Sequence, residues 1–246
     1  MARCLAESKN SIIKSSLIKL VQTIYPVDMS SASKQNFSCF DDFFTRDFHN
    51  TARRIAEAQL VNPVDGCISD FGALSDHHSI VVKHKKYSHA DLASSDFMGQ
   101  DYSFVSYYLA PYNHHQIYMP ANGTIVKTVY IPGLLHSVKT NGHKSKDIVN
   151  FKNERLVLFI ESDTGPMALV LVGALLVGSI STAWGRRYKP SKSMDIVTEE
   201  NLTYKFAKGD SIARFHYGSS VILITNLKLG KINALQDCKM GEPIWS

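Results

Sequence analysis

The step between Gly218 and Ser219 is the part of this sequence with the clearest capacity for chemistry of its own. It stands in an apolar, β-prone run from residue 214 to residue 224. In such a setting a serine hydroxyl can attack the preceding carbonyl and convert the amide into an ester, and β-elimination then leaves a pyruvoyl group on the new N-terminus. A Gly-Ser pair also occurs by chance in most chains of this length, where it simply begins a strand. The step therefore predicts self-cleavage only in company with other signals.

The composition is that of an ordinary globular protein with an excess of basic residues. The 246 residues are 44% hydrophobic and 20% charged, and the net charge of +5 favours anionic partners. No basic run is long or aromatic-interleaved enough to predict nucleic-acid binding. The four cysteines are scattered, which argues against a zinc site or a disulfide framework and fits a reducing compartment. No metal site is predicted at the clustered histidines, which lack a compact set of carboxylate partners: His77, His78, His84 and His89.

The N-terminal part of the chain predicts helices. Apolar residues recur every three or four positions over the first 25 residues, at Ile13, Leu17, Leu20, Val21 and Ile24. Lysines occupy much of the remaining surface, so this helix either packs on the rest of the chain or lies in a lipid interface. A second helix is expected over 37–48. We expect no secretory signal and no membrane span, because the longest apolar run, 167–180, is too short for a bilayer of roughly 30 Å.

The remainder of the sequence, from residue 60 onward, consists of short β-prone runs separated by turn residues. Strands are predicted over 103–109, 123–131, 155–161, 168–184 and 220–224, and a loop over 188–203. Strands do not alternate with helices, and no G-x-G-x-x-G fingerprint occurs. The expected fold class is α+β, mainly β, with N-terminal helices (1–48) followed by an antiparallel β sandwich or barrel-like core. A single domain of residues 1–246 is expected.

Five groups of motifs, in a fixed order, carry a family resemblance. They are FFTR (43–46), VNPVDG (61–66), YLAPYNHHQIYMP (108–120), NER (153–155) with GPMALVLVGA (165–174) and VGSI (177–180), and KGD (208–210) with GSS (218–220). On these motifs the chain resembles the bacterial phosphatidylserine decarboxylases, which are pyruvoyl-dependent enzymes. The resemblance extends from about residue 16 to about residue 229.

The resemblance implies a proenzyme that cleaves itself between Gly218 and Ser219. The products would be a β chain of residues 1–218 and an α chain of residues 219–246, whose terminal pyruvoyl group, made from Ser219, is the cofactor; no metal is implied. That group accepts the electron pair released when phosphatidylserine loses carbon dioxide and becomes phosphatidylethanolamine. In the family pattern Asp65 matches the aspartate of a charge relay for self-cleavage. His115 matches a histidine associated with substrate binding and decarboxylation.

The implied partners are an anionic phospholipid, phosphatidylserine, and the membrane surface that contains it. The α and β chains of one precursor would stay together, and no nucleic acid is expected. This places the chain at the periphery of the cytoplasmic face of the bacterial inner membrane. A homodimer is left open.

The family pattern is broken at the position of the relay base, where the family carries a second histidine and this chain carries Tyr118. A phenol with an ordinary pKa near 10 is a poor base at neutral pH. Ser211 and Ala213 also replace a glutamate and a glycine near the cleavage site. Two alternatives therefore stay open: a non-cleaving homologue that acts as a lipid-binding protein, and a pyruvoyl enzyme that acts on another amine-bearing carboxylate.

Other histidines offer a replacement for the missing base. We hypothesise that His216, three residues before the scissile step, or His136 takes this role; the alternative is that both are ordinary polar surface residues. His114 neighbours the motif histidine, but in a strand it would point to the opposite face from His115.

Overall fold

Three antiparallel β-sheets, of nine, four and two strands, and three N-terminal helices form the described part of the chain. The structure is a computed structural model that describes residues 2–49, 52–73, 79–82, 85–88, 102–134, 153–173, 179–189, 195–216, 219–233 and 235–245. The helices are α1 (Ala2–Ala6), α2 (Ser11–Ile24) and α3 (Phe40–Phe44). The strands are β1 (Gly66–Ala73), β2 (Ser79–Val82), β3 (Lys85–Ser88), β4 (Ser103–Leu109), β5 (Gln116–Tyr118), β6 (Gly123–Ile131), β7 (Arg155–Ser162), β8 (Gly165–Gly173), β9 (Ile180–Thr182), β10 (Arg187–Tyr188), β11 (Val197–Glu199), β12 (Tyr204–Phe206), β13 (Ser211–Phe215), β14 (Ser219–Thr225) and β15 (Gln236–Cys238).

The larger sheet runs in the order β11, β6, β7, β8, β14, β4, β1, β15, and β12 pairs with the other end of β6. The smaller sheet runs in the order β10, β9, β13, β5, while β2 and β3 pair with each other. Strand β14 is central in the larger sheet, with β8 on one side and β4 on the other. Ser219 therefore stands at the start of a strand that is held on both edges.

The two sheets share one hydrophobic core, to which Ile117, Ile180, Ile212 and Phe215 contribute from the smaller sheet. Along β14, Val221 and Leu223 belong to this core, whereas Ile222 and Ile224 belong to a cluster on the opposite face. Because side chains alternate along a strand, Ser219 lies on the same face as Val221 and Leu223. Its hydroxyl group therefore points to the side on which the two sheets meet.

The N-terminal helices pack on one another rather than extending into the sheets. Asn10 caps α2, because its Oδ1 accepts hydrogen bonds from the backbone nitrogens of Ile12 (3.0 Å) and Ile13 (3.2 Å). The helix ends just before Pro26, and a residue that precedes proline is disfavoured in helical geometry. The inner side of α2 packs on an aromatic cluster formed by Phe37, Phe40, Phe43 and Phe44. Among the described residues, no helix has the length and apolar character to cross a bilayer.

The predicted fold class, α+β and mainly β with antiparallel sheets, is confirmed, and the described strands form open sheets rather than a closed barrel. The strands predicted over 103–109 and 123–131 coincide with β4 and β6. The run predicted as one strand over 168–184 contains β8 and β9, which belong to different sheets. A continuous apolar run does not reveal where the chain leaves one sheet for another. The loop predicted over 188–203 contains β11.

The helices predicted for residues 1–48 are shorter and more interrupted than expected. The first 25 residues form two helices rather than one, because the chain breaks before the Asn10 cap. The second predicted helix, over 37–48, is helical only in α3. Its last part forms a β-bridge instead, in which Phe48 pairs with Ala32. The apolar spacing in this region thus locates helices without locating their ends.

Candidate active site

Ser219 is fully buried at the first position of β14. Its Cα partners are Leu109 of β4 and Gly173 of β8. Its Oγ has no hydrogen-bond partner among the described residues. An unpaired buried hydroxyl is rare in native structures and is often connected with function. Gly218, on the other side of the predicted cleavage site, lies outside the described residues.

A buried carboxyl group lies on the same face of the sheet, beyond Gly173. Glu154 directly precedes β7, whose first residue Arg155 pairs with Val172 of β8, so Glu154 stands opposite Gly173. A β-carbon built on Gly173 would lie 2.8 Å from Glu154 Oε1. Oε2 accepts a hydrogen bond of 2.8 Å from the hydroxyl of Tyr130, while Oε1 has no partner among the described residues. Burial raises the pKa of Glu154 to about 7.

His115 is a buried, neutral imidazole with one free nitrogen. Its Nδ1 lies 2.9 Å from the carbonyl oxygen of Asn113, which can only accept, so Nδ1 carries the proton. Its Nε2 is then an acceptor, and it has no partner among the described residues. The ring of Phe44 packs beside it, with 4.3 Å between centroids. Burial lowers the pKa of His115 to about 3, so the ring is neutral at physiological pH.

Tyr118 is paired with His114. The phenol oxygen lies 2.9 Å from Nε2 of His114. We assign the phenol as the donor, because this direction pairs the phenolic hydrogen, whereas Nδ1 of His114 has no partner among the described residues in either direction. Burial, with the charges of Asp65 and Asp47, raises the pKa of Tyr118 above its ordinary value. Burial also lowers the pKa of His114 well below its ordinary value.

The expected orientation of His114 needs a correction. The prediction that it points away from the motif histidine assumed a strand, but β5 begins only at Gln116. The residue instead reaches forward to Tyr118, and its ring stacks on Phe48 with 3.5 Å between centroids. An imidazole is therefore present beside position 118, although the residue at that position is a tyrosine.

Asp65, just before β1, is held by a guanidinium group rather than by a histidine. Its Oδ2 accepts a hydrogen bond of 2.5 Å from Nη2 of Arg53, and its Oδ1 accepts one of 3.3 Å from Nε of the same side chain. The backbone nitrogen of Met240 also donates to Oδ1, at 2.9 Å. Both carboxylate oxygens of Asp65 thus accept hydrogen bonds.

His216, one of the two suggested replacement bases, is buried and engaged at both ring nitrogens. Its Nδ1 lies 2.9 Å from both carboxylate oxygens of Asp41, and its Nε2 lies 3.0 Å from Oγ of Ser181. The alternative that it is an ordinary surface residue is wrong for His216. His136, the other suggestion, lies outside the described residues, as do His77, His78, His84 and His89.

A cavity of about 310 Å³ opens beside Asp65 and His114. Its lining includes Arg46, Arg53, Asp65 and His114. The buried Arg46 donates from Nη2 to the carbonyl oxygen of Tyr112 at 3.1 Å, while its Nε has no partner among the described residues. The lining also includes Lys239 and the carboxylates of Asp28, Asp237 and Glu242, so the cavity suits a ligand that carries groups of both charges. The described residues contain no cluster of three or more potential metal ligands.

Sequence reasoning missed two features of this site. The Asn-Glu-Arg motif was noted, but no role was assigned to Glu154. Its proximity to Ser219 depends on the pairing of β7, β8 and β14, which a single sequence does not display. Arg53 carried no signal at all, because an isolated arginine in a loop looks like any surface residue.

Comparisons with known proteins agree with these motifs. A sequence model of the family described as phosphatidylserine decarboxylase matches residues 40–246. The chain is 36% identical over 231 residues to a phosphatidylserine decarboxylase proenzyme from Francisella tularensis subsp. novicida (strain U112), covering 90% of this chain and 82% of the relative. It is 34% identical over 233 residues to the proenzyme of that name from Francisella philomiragia subsp. philomiragia, covering 89% of this chain and 82% of the relative. The chain therefore belongs to the phosphatidylserine decarboxylase family.

Proposed function

We propose that this chain is a proenzyme that cuts itself between Gly218 and Ser219 and then decarboxylates phosphatidylserine to phosphatidylethanolamine. The observation that carries the proposal is the buried hydroxyl of Ser219 at the start of β14, which has no partner among the residues that the structure describes. A nucleophile needs a free lone pair and a fixed position, and a strand paired on both edges provides the second. The relatives named proenzymes support the same reading. None of the comparisons supports the alternative of a non-cleaving lipid-binding homologue.

The residues near Ser219 fit a pyruvoyl group at this position. The acceptors His115 Nε2 and Glu154 Oε1 are buried and have no partner among the described residues, which suits a substrate that brings its own donors; Ser219 Oγ, also without a partner there, belongs to the hydroxyl that the pyruvoyl group would replace. The pyruvoyl group supplies an electron sink for the pair that the departing carboxylate leaves behind. The neutral His115 accepts a hydrogen bond at Nε2, which orients a donor of the substrate such as its ammonium group.

The cavity beside Asp65 is proposed as the binding site of the lipid headgroup. Phosphatidylserine carries a phosphate and a carboxylate, and both are recognised well by guanidinium groups. Arg46 and Arg53 both line this cavity; Arg46 Nε has no partner within the described part of the chain, and Arg53 is bound to Asp65. Asp65 keeps Arg53 in place and contributes to the raised pKa of Tyr118. In this proposal Tyr118 holds His114 through a hydrogen bond rather than acting as a base.

The proposed location is the surface of the membrane that contains the lipid, on the cytoplasmic face. Helix α2 exposes three large apolar side chains, Ile12 (76% exposed), Leu20 (55%) and Ile24 (58%). Exposed apolar residues that alternate with lysines on one helix favour the interface of an anionic bilayer. Helix α2 would therefore pack on the rest of the chain through one side and lie in the lipid interface through the other.

The test is decarboxylation of phosphatidylserine in vesicles. The purified chain is expected to release carbon dioxide and form phosphatidylethanolamine, and a Ser219→Ala variant is expected to form none. A chain that is cleaved but leaves phosphatidylserine unchanged would contradict the proposed substrate and favour another amine-bearing carboxylate. A chain that is neither cleaved nor active would contradict the proposed enzyme.

A further inference from the structure

Glu154 and Ser219 flank the same glycine in the larger sheet. Gly173 of β8 pairs directly with Ser219 of β14 on one side. On its other side it stands opposite Glu154, and the backbone nitrogen of Gly173 donates to the carbonyl oxygen of Glu154 at 3.0 Å. Residues directly opposite each other in an antiparallel pair place their side chains on the same face. Glu154, Gly173 and Ser219 therefore form one row across three strands, facing the core between the sheets.

Because Gly173 has no side chain, the carboxyl group of Glu154 can lie over it, towards Ser219. The β-carbon position of Gly173 would lie 2.8 Å from Oε1 and 2.9 Å from Cγ of Glu154, so the carboxyl group lies over the glycine. Opposite residues of an antiparallel pair have β-carbons about 5 Å apart, so this position is about 5 Å from the β-carbon of Ser219. Oε1 and the Ser219 Oγ are both buried and without a partner among the described residues. The two oxygens thus belong to side chains on the same face of the sheet, on either side of Gly173.

We propose that the Glu154 carboxylate is the base that takes the proton from Ser219 Oγ during self-cleavage. The inference rests on the proposed function, and it assigns the proton transfer that Tyr118 cannot perform. The Oγ–H bond breaks, the proton passes to Oε1, and Oγ bonds to the carbonyl carbon of Gly218. The bond from that carbon to the nitrogen of Ser219 then breaks, and the nitrogen takes the proton back from Glu154. The carboxylate is regenerated, and an ester with a free amine results without any oxidant or reductant.

The other imidazoles near the site are less suited to this step. His216 is held by Asp41 and Ser181, and His114 is held by Tyr118. His115 has a free Nε2, but burial lowers its pKa to about 3, and such an imidazole is a weak base. Burial raises the pKa of Glu154 to about 7, which matches a base that works near neutral pH.

The charged and titratable groups around Glu154 are few in the described part of the chain. From β6, Tyr130 donates to its Oε2, and from β10, Tyr188 stacks on Tyr130 with 5.0 Å between ring centroids. Arg155, the next residue, pairs with Val172 and so lies on the opposite face of the sheet. From β14 the row is completed by Ser219, which carries no charge. The titration of Glu154 thus governs the pH dependence of the proposed step.

The experiment follows cleavage of newly made chain at different pH values. The full-length chain is synthesised in a cell-free reaction, translation is stopped, and samples are moved to buffers from about pH 5.5 to about pH 9. The fraction of unsplit chain is then measured over time by mass spectrometry. Glu154→Gln is compared with the natural chain and with Glu161→Gln, which makes the same change at an exposed position of β7.

The natural chain is expected to cleave faster as the pH rises, with a midpoint near 7, because the base must be ionised. Glu154→Gln is expected to cleave at least about 100-fold more slowly than the natural chain and to lose the midpoint near pH 7. Glu161→Gln is expected to keep both the natural rate and the natural pH profile. Cleavage of Glu154→Gln at the natural rate would overturn the inference and leave the proposed function intact. If Glu154→Gln does not fold, a cleavage rate of the natural chain that stays constant between about pH 6 and about pH 8 would overturn the inference. If the natural chain never cleaves, the proposed function itself fails.

Discussion

Three buried residues of the candidate site each present a polar atom without a partner among the described residues: Ser219, His115 and Glu154. Each unpaired atom costs free energy of folding, about 1–3 kcal/mol for a neutral group. A fold that retains such atoms is organised at these positions for ligands or reaction rather than for stability. The positions of Ser219 and His115 could be inferred from sequence motifs, because each lies within a recognisable run of residues. Glu154 could not, because its partner across the sheet is 65 positions away.

The titration of Glu154 gives a prediction at the scale of one residue. Its carboxyl group ionises near 4.5 in the unfolded chain and near 7 in the folded chain. Between these values the unfolded state has released a proton that the folded state retains, so the free energy of unfolding falls as the pH rises. Glu154→Gln removes this loss. The free energy of unfolding of the variant minus that of the parent should therefore rise by about 2 kcal/mol from about pH 5 to about pH 8.

This gain is measured by urea unfolding, with both proteins in a Ser219→Ala background so that neither is cleaved. Glu161→Gln serves as the control, since the carboxyl group it replaces is exposed. If the free energies of unfolding of Glu154→Gln and its parent differ by the same amount at about pH 5 and at about pH 8, a raised pKa for Glu154 is contradicted.

At the scale of elements, helix α2 combines a packed side with an exposed apolar side. The spacing of apolar residues predicted a helix here, and it could not predict which of them face the protein. Leu17, Ile18 and Val21 pack on the aromatic cluster, whereas Leu20 and Ile24 are exposed. The difference depends on where Phe37–Phe44 lies in space, which is tertiary information. The same limit explains why 168–184 was predicted as one strand rather than two.

The exposed side of α2 predicts binding to anionic vesicles. Ile12→Glu combined with Leu20→Glu should weaken this binding at least about tenfold, because each buried apolar side chain contributes roughly 1.5–3 kcal/mol in an apolar environment. The control combines Ser15→Glu with Gln22→Glu, which adds the same charge at exposed positions of the same helix and removes no apolar surface. Vesicle co-sedimentation distinguishes the two. Equal loss in both double variants would indicate that only charge matters.

At the scale of the whole molecule, cleavage between Gly218 and Ser219 should not separate the two chains. All seven residues of β14 are buried, and this strand pairs along its full length with both β4 and β8. Strand β15, in the same fragment, pairs with β1. The cleaved protein is therefore expected to elute as one species in size-exclusion chromatography and to separate only in denaturant. Release of the smaller fragment under native conditions would contradict the expectation that β14 stays paired with β4 and β8 after cleavage.

The most direct test of the account is the intact mass of the freshly purified chain under denaturing conditions. We predict two fragments that divide between Gly218 and Ser219, the smaller carrying the mass of a pyruvoyl terminus, and a single unsplit chain for Ser219→Ala. This result would establish that self-cleavage proceeds with Tyr118 at the position of the relay base. A single unsplit mass for the natural chain would contradict self-processing, and with it the proposed decarboxylase.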